Sequence, residues 1–101
     1  MAQIIRAARC GEIPEGTGKI IQAADRAIAL FHANGEFYAI DNRCLHQGGP
    51  LGEGEVYGTR VVCPWHGWEY EFSTGCNVDD PSMKLTCFRV LVEGDDILLE
   101  I

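Results

Sequence analysis

Four side chains in this 101-residue chain could together hold a metal: Cys44 and His46, then, after sixteen intervening residues, Cys63 and His66. Both pairs sit among turn formers. Gln47-Gly48-Gly49-Pro50 follows the first pair, Pro64 lies inside the second, and Gly67 follows it. That composition predicts two loops closing on one inorganic centre. Thiolates suit zinc, Cu(I) and iron–sulfur clusters, and imidazoles suit zinc, copper and iron. Two of each make either a structural zinc site or a [2Fe–2S] cluster with two histidines on one iron.

Spacing separates the two. Zinc fingers pair Cys with Cys and His with His. Here each segment carries one of each, as C-x-H and C-x₂-H. A cluster of two unlike irons needs that mixture, with a thiolate to one iron and an imidazole to the other from each loop. The pattern resembles the Rieske iron–sulfur family in Cys44-x-His46 and Cys63-x₂-His66. Gly48-Gly49-Pro50-Leu51 after the first pair, and Pro64-Trp65 with Gly67-Trp68 around the second, add to the likeness, and the resemblance covers nearly the whole chain. The resemblance implies one Rieske-type [2Fe–2S] cluster per chain, held by Cys44, His46, Cys63 and His66. It also implies an all-β fold: an antiparallel β-sandwich base with a small inserted β subdomain that binds the cluster. Zinc on the same four residues, in a non-redox module, is the reading from a different class.

Ligation would require both cysteines as thiolates and both histidines as neutral imidazoles. The second ring nitrogen of each histidine is then left to face solvent or a partner. The expected midpoint potential is flat at neutral pH and falls in alkaline solution.

High-potential respiratory members of the family resemble C-x-H-x-x-C and C-x-C-H-G-S. They carry a disulfide between the loops and a serine hydroxyl on a bridging sulfide. The corresponding positions here are Gly49, Trp65 and Trp68, so this chain has neither cysteine pair nor hydroxyl. Tyr70, two positions beyond, falls in an alternating aromatic strand and reads as packing. Fewer donors to the cluster imply a potential below about 0 mV, within a family range of roughly −150 to +300 mV. Gly48 and Gly49 allow close backbone approach to a sulfide. Trp65 reads as a shield for one loop and Trp68 as core. Pro81 resembles the proline of a loop that packs over the cluster in the family.

A mononuclear iron centre of the oxygenase kind needs two histidines and a carboxylate. Only His32 remains beyond the cluster pair, and it reads as an ordinary strand residue. The resemblance therefore implies a carrier and not an oxygen-activating enzyme. It is closest to the stand-alone Rieske-type ferredoxins that pass one electron at a time from a flavin-containing reductase to a terminal oxygenase. The small subunit of an assimilatory nitrite reductase is the alternative within the family. His46 and His66 would be the exchange points, with Leu45, Gln47, Pro64 and Trp65 as the docking surface around them.

Composition limits the rest. The formal net charge of −7 and the lack of a basic patch exclude nucleic acid as an expected partner. Acidity suits docking on basic protein surfaces, and equally suits solubility. There is no apolar run long enough to span a bilayer, and the first residues do not resemble an export signal. A cytoplasmic monomer is expected, with Cys10, Cys76 and Cys87 as reduced thiols.

The length suits one domain, residues 1–101. Strands are expected over 3–7, 19–24, 27–33, 37–40, 53–57, 59–63, 67–72, 86–92 and 97–101. Alanine frequency also permits a helix over 20–31, but Asn34-Gly35 is the chemistry of a tight hairpin and favours strands. The inserted cluster-binding subdomain is expected at 43–76, within a base formed by 1–42 and 77–101.

Overall fold

A computed structural model describes residues 3–23, 26–43, 49–65 and 67–101. These residues form nine antiparallel strands: β1 (Ile4–Arg9), β2 (Thr17–Ala23), β3 (Arg26–Ala33), β4 (Glu36–Asp41), β5 (Glu55–Tyr57), β6 (Arg60–Val62), β7 (Glu69–Glu71), β8 (Cys87–Glu93) and β9 (Asp96–Glu100). Two single-turn 3₁₀ helices, Cys10–Glu12 and Leu51–Glu53, join them. Among the described residues no helix is long and apolar enough to cross a membrane.

Turn chemistry sets the hairpins. Asn34 and Gly35 both have positive φ, 55° and 77°, between the paired residues Ala33 and Glu36. This is the pattern of a type I′ turn, whose twist matches that of the flanking strands. Gly94 (φ 60°) and Gly58 (φ 58°) open the two-residue loops of β8–β9 and β5–β6.

The larger sheet runs β1-β9-β8-β4-β3-β2. It folds over at β8: Cys87 and Phe88 pair with β4, whereas Arg89 to Glu93 pair with β9. The two halves face each other across Ala8, Ile21, Ile28, Leu30, Ala39, Ile97 and Leu99. This is the expected antiparallel sandwich.

Strand β3 is buried on both faces, which explains its nearly continuous apolar sequence. Ile28 and Leu30 point into the sandwich. Ala29, Phe31 and Ala33 point out of it, against Leu51, Val61, Cys63, Tyr70 and Phe72. Val61 and Tyr70 belong to a three-stranded sheet, β5-β6-β7, Cys63 and Phe72 directly follow its strands, and Leu51 lies in the 3₁₀ turn that precedes it. A helix over 20–31 would lose the alternation that serves two cores at once.

The expected strand over 53–57 starts later, at Glu55. Leu51 and Gly52 are buried and Leu51–Glu53 tightens into a 3₁₀ turn, with Glu53 N donating to Pro50 O (3.0 Å) and Gly54 N to Leu51 O (2.9 Å). The remaining strand ends agree within two residues.

Glycines allow close approaches within and between the sheets. A Cβ on Gly52 would lie 2.5 Å from Ile20 Cγ1, and one on Gly18 would lie 2.5 Å from the Phe31 ring. On Gly54 it would lie 2.2 Å from the Val62 carbonyl oxygen. No side chain fits at these places.

Candidate metal centre

Two connections, one before the small sheet and one between its strands β6 and β7, carry the candidate ligands. The first spans residues 43–50. Arg43 bridges to Pro50, so the chain leaves and returns at one place. Asn42 anchors that base three times. Its N–H donates to Ala27 O (3.1 Å), its carbonyl accepts from Leu51 N (2.8 Å), and its side-chain Oδ1 accepts from Gly52 N (2.6 Å). Burial of Leu51 and Gly52 seats the base on the larger sheet.

The second loop is a hairpin end between β6 and β7. Val62 pairs with Glu69. Inside that pair, Cys63 N donates to Trp68 O (2.7 Å) and Gly67 N donates to Cys63 O (3.1 Å). The second bond closes a tight turn that requires Gly67 at φ 75°. Cys63 lies just past the end of its strand, as expected, and is only 2% exposed.

The loops meet at Gly49. A Cβ there would lie 2.7 Å from Cys63 Sγ and 3.2 Å from Cγ and Cδ2 of Trp65. The Cys63 sulfur therefore sits against the backbone of Gly49. Trp65 is 55% exposed and lies over the same spot. Trp68 is partly buried against the core, and Tyr70 is fully buried within it, so both pack as expected.

Cys44, His46 and His66 lie outside the described residues, as do Leu45, Gln47 and Gly48. Of the four expected ligands the structure places Cys63 alone, at the meeting point of the two loops. Its buried sulfur and the glycine cradle beside it fit a thiolate-bound inorganic group, and the other three donors are of the types such a group requires.

A third segment runs beside the second loop. Val78 N donates to Glu69 O (2.9 Å) and Tyr70 bridges to Asn77. Buried Asn77 organises it: Oδ1 accepts from Asp79 N and Asp80 N, both at 2.9 Å. Pro81 is exposed in the turn closed by Met83 N and Asp80 O (3.0 Å). On the solvent face of the small sheet, Arg60 Nε lies 3.0 Å from Glu71 and its Nη1 3.8 Å from Glu69.

The other candidate groups stand apart. His32 Nδ1 donates to Ile13 O (2.8 Å) and the ring stacks on Phe37 with centroids 4.3 Å apart, a strand residue as expected. Cys87 lies beside the Phe72 carbonyl (3.8 Å), and desolvation raises its thiol pKa, which disfavours a reactive thiolate. Sequence reasoning missed Asn42. Its partner Gly52 is ten residues away, and no local signal marks the pair. Asn77 was legible in principle, because Asn77-Val78-Asp79-Asp80-Pro81 has the composition of an Asx turn.

Residues 3–89 match the family described as Rieske [2Fe-2S] domain. The chain is 36% identical over 89 residues to apoptosis-inducing factor 3 of Mus musculus, of which it spans only 13%. It is 36% identical over 99 residues to the 3-phenylpropionate/cinnamic acid dioxygenase ferredoxin subunit of Shigella boydii serotype 4, a match that covers 96% of this chain and 92% of that one. Among solved structures, the fold superposes with TM-score 0.87 and 23% identity on a chain from a complex of reduced oxygenase and oxidized ferredoxin in carbazole 1,9a-dioxygenase, with coverage of 95% and 91%. It superposes with TM-score 0.92 and 19% identity on a protein described as an NADH-dependent nitrite reductase small subunit from Mycobacterium tuberculosis, with coverage of 100% and 96%.

Proposed function

The chain belongs to the Rieske [2Fe-2S] domain family, its cofactor is a Rieske-type [2Fe–2S] cluster, and from that premise we propose that it is a one-electron carrier. It takes an electron from a flavin-containing reductase and delivers it to a terminal oxygenase. The observation that carries this reading is the near full-length match to a dioxygenase ferredoxin subunit. The oxygenase–ferredoxin complex of the same fold supports the terminal partner. The carrier acts as a cytoplasmic monomer.

Cys44 and Cys63 hold the cluster as thiolates, and His46 and His66 hold it as imidazoles. Residues 43–76 form the cluster-binding subdomain, and 1–42 with 77–101 form the base. The separate pairing of β5, β6 and β7 supports that division. When bound, the cluster accepts and returns one electron. The protein's own residues do the rest. Burial of Cys63 keeps water from its sulfur. Asn42 and the Gly67 turn fix the two loops to rigid elements. Trp65, with Pro64, Leu45 and Gln47, forms a small docking surface, and the acidic chain favours basic partners with fast, salt-sensitive encounter.

Voltammetry and stopped-flow spectroscopy test this reading. A reversible one-electron wave below about 0 mV is expected. So is reduction by a flavin-containing reductase, and re-oxidation by a terminal oxygenase loaded with its substrate. A red-brown protein with a clearly positive potential would instead favour a respiratory-type carrier. A colourless, zinc-bound protein would refute the redox reading. The high structural likeness to a nitrite reductase small subunit keeps that assignment as the second reading. Electron delivery to a nitrite reductase and not to an oxygenase would select it.

A further inference from the structure

We propose that the cleft between β4 and β8 takes up an extended segment of a partner protein. That segment carries apolar residues at alternate positions, flanked by lysine or arginine.

The cleft opens where strand pairing stops. β4 and β8 pair at Ile40 with Cys87 and at Ala39 with Phe88. Past that point β4 stays with β3 as far as Glu36, and β8 stays with β9 as far as Glu93. The diverging strands leave a cavity of about 500 Å³ lined by Gly35, Glu36, Phe37, Val90 and Val92. All of these residues, and the four strands around them, lie within the described part of the chain. Glu36 and Asp41 are the two ends of β4, roughly 17 Å apart at the rise of an extended strand, and the first ligand-bearing loop follows Asp41. The cleft is therefore at the far end of the strand from the candidate metal centre.

Register fixes where the backbone groups of the cleft point. Ala33 with Glu36, and Glu93 with Asp96, close two-residue turns, so Glu36 bonds to β3 and Glu93 to β9. Bonding alternates along antiparallel strands, so Tyr38 also turns to β3, and Leu91 and Arg89 turn to β9. Phe37, Val90 and Val92 turn the other way. Asp41, in step with Phe37, shows the direction: its N–H donates to Thr86 O (3.0 Å), just before β8. The N–H and C=O groups of Phe37, Val90 and Val92 thus face the cleft, beyond the last pair of the β4–β8 ladder.

The side chains add an apolar lining. Phe37 and Val90 are partly buried against the sandwich core, and Val92 is 51% exposed. His32 stacks on Phe37 and steadies that wall. A fitting occupant supplies apolar groups in steps of two residues, together with backbone donors and acceptors. An extended peptide supplies both. A small apolar molecule would take the polar groups out of water without pairing them, which costs free energy.

Charge selects the kind of peptide. Glu36 lines the cleft, exposed Glu93 and Asp95 follow Val92, and Glu15 caps the adjoining β3–β4 turn. The cation Arg26 stands at the closed end, over the Phe88 ring. A second copy of this chain, at −7, would bring like charge to the acidic mouth, whereas a lysine-flanked segment brings the opposite sign. Docking there leaves the ligand-bearing loops free and raises the local concentration of the partner, as a tether does. It does not depend on the redox reading.

The test uses the full, metal-loaded chain and a capped peptide of alternating valine and threonine with a lysine at each end. Amide chemical shifts follow binding. Saturation with a Kd at or below about 1 mM is expected, with the largest shifts at Phe37, Val90 and Val92. Val92→Lys, at an exposed edge position, should weaken binding roughly tenfold with the melting temperature unchanged. Glu36→Gln should weaken it less and flatten its salt dependence. A peptide N-methylated at alternate amides should not bind. Failure to saturate would overturn the proposal. So would equal binding by the N-methylated peptide or by one flanked with glutamate, or shifts centred on another strand edge. A dimer of the free chain that Val92→Lys abolishes would give the cleft to a second copy, and would overturn it too.

Discussion

Removing one acceptor ten residues from its partner should loosen the centre more than it loosens the fold. Asn42 Oδ1 accepts from Gly52 N at 2.6 Å, and Gly52 is buried. Asn42→Ala takes away the acceptor of a buried N–H. An unsatisfied buried N–H costs roughly 1–3 kcal/mol. The Asn42 backbone bonds to Ala27 and Leu51 survive, so the cost falls on the return limb of the first loop. If loop opening precedes metal loss, that cost corresponds to release roughly 5- to 150-fold faster. Asn42→Asp keeps an acceptor in place and should recover most of the loss, less a small repulsion from neighbouring Asp41. The assay is first-order decay of the visible absorbance in excess chelator, beside a thermal melt of the same samples. Equal damage from Asp and Ala would refute the hydrogen-bond argument. A lower melting temperature with unchanged release would place the cost in the base and not in the loop.

Glu15 caps the β3–β4 turn, accepting from Gly35 N and Asn34 N at 2.8 Å each. The bond from Gly35 N is the main cause of a carboxyl pKa below the usual carboxylate range. A depressed folded-state pKa adds stability that is present above the ordinary value and lost as pH falls through the lowered one. Glu15→Gln should therefore melt earlier than the parent at neutral pH, with the gap closing in acid. Gly75 and Gly94 both have positive φ, but a Cβ meets Leu85 O at 2.4 Å in the first and open space in the second. Gly94→Ala should cost roughly 1–2 kcal/mol, and Gly75→Ala clearly more, in denaturant unfolding. Cys63→Ser should abolish the visible spectrum of the isolated protein. Electron exchange with a basic partner should slow steeply as salt rises, measured by stopped flow between low and physiological ionic strength.

Most of the fold was legible because it rests on short-range chemistry. Asn34-Gly35 and Gly94 are turn residues whose required φ signs the structure reproduces. Tyr70 and Phe72 are buried on the alternation that their spacing predicts. The 3₁₀ turn at Leu51–Glu53 was not legible. Its cause is tertiary: Leu51 is drawn into the core under Phe31, and the Gly52 backbone is pressed against Ile20. A strand period cannot report a contact with another sheet.

The site divides the same way. The kind of donor at each ligand position is a property of one residue, and so it can be read from the chain. What places those donors is not. Gly49 is expected as a glycine, but the atoms that make it one are Cys63 Sγ and the Trp65 ring, in a loop that begins fourteen residues later. Asn42 carries no motif at all, because its value depends on a Gly52 N–H that only the folded chain puts within reach. Gly52 marks the point where the turn before the small sheet is pressed against Ile20 of β2, whereas Gly18 leaves room for the Phe31 ring across its own sheet and Gly54 for the Val62 carbonyl oxygen. Ligand identity therefore constrains the metal, while its environment depends on contacts between β2, β3 and the small sheet. Two chains with the same four ligands can differ in cluster retention and potential through these contacts alone. A substitution at Gly49 or Asn42 should accordingly change the centre while every ligand stays in place.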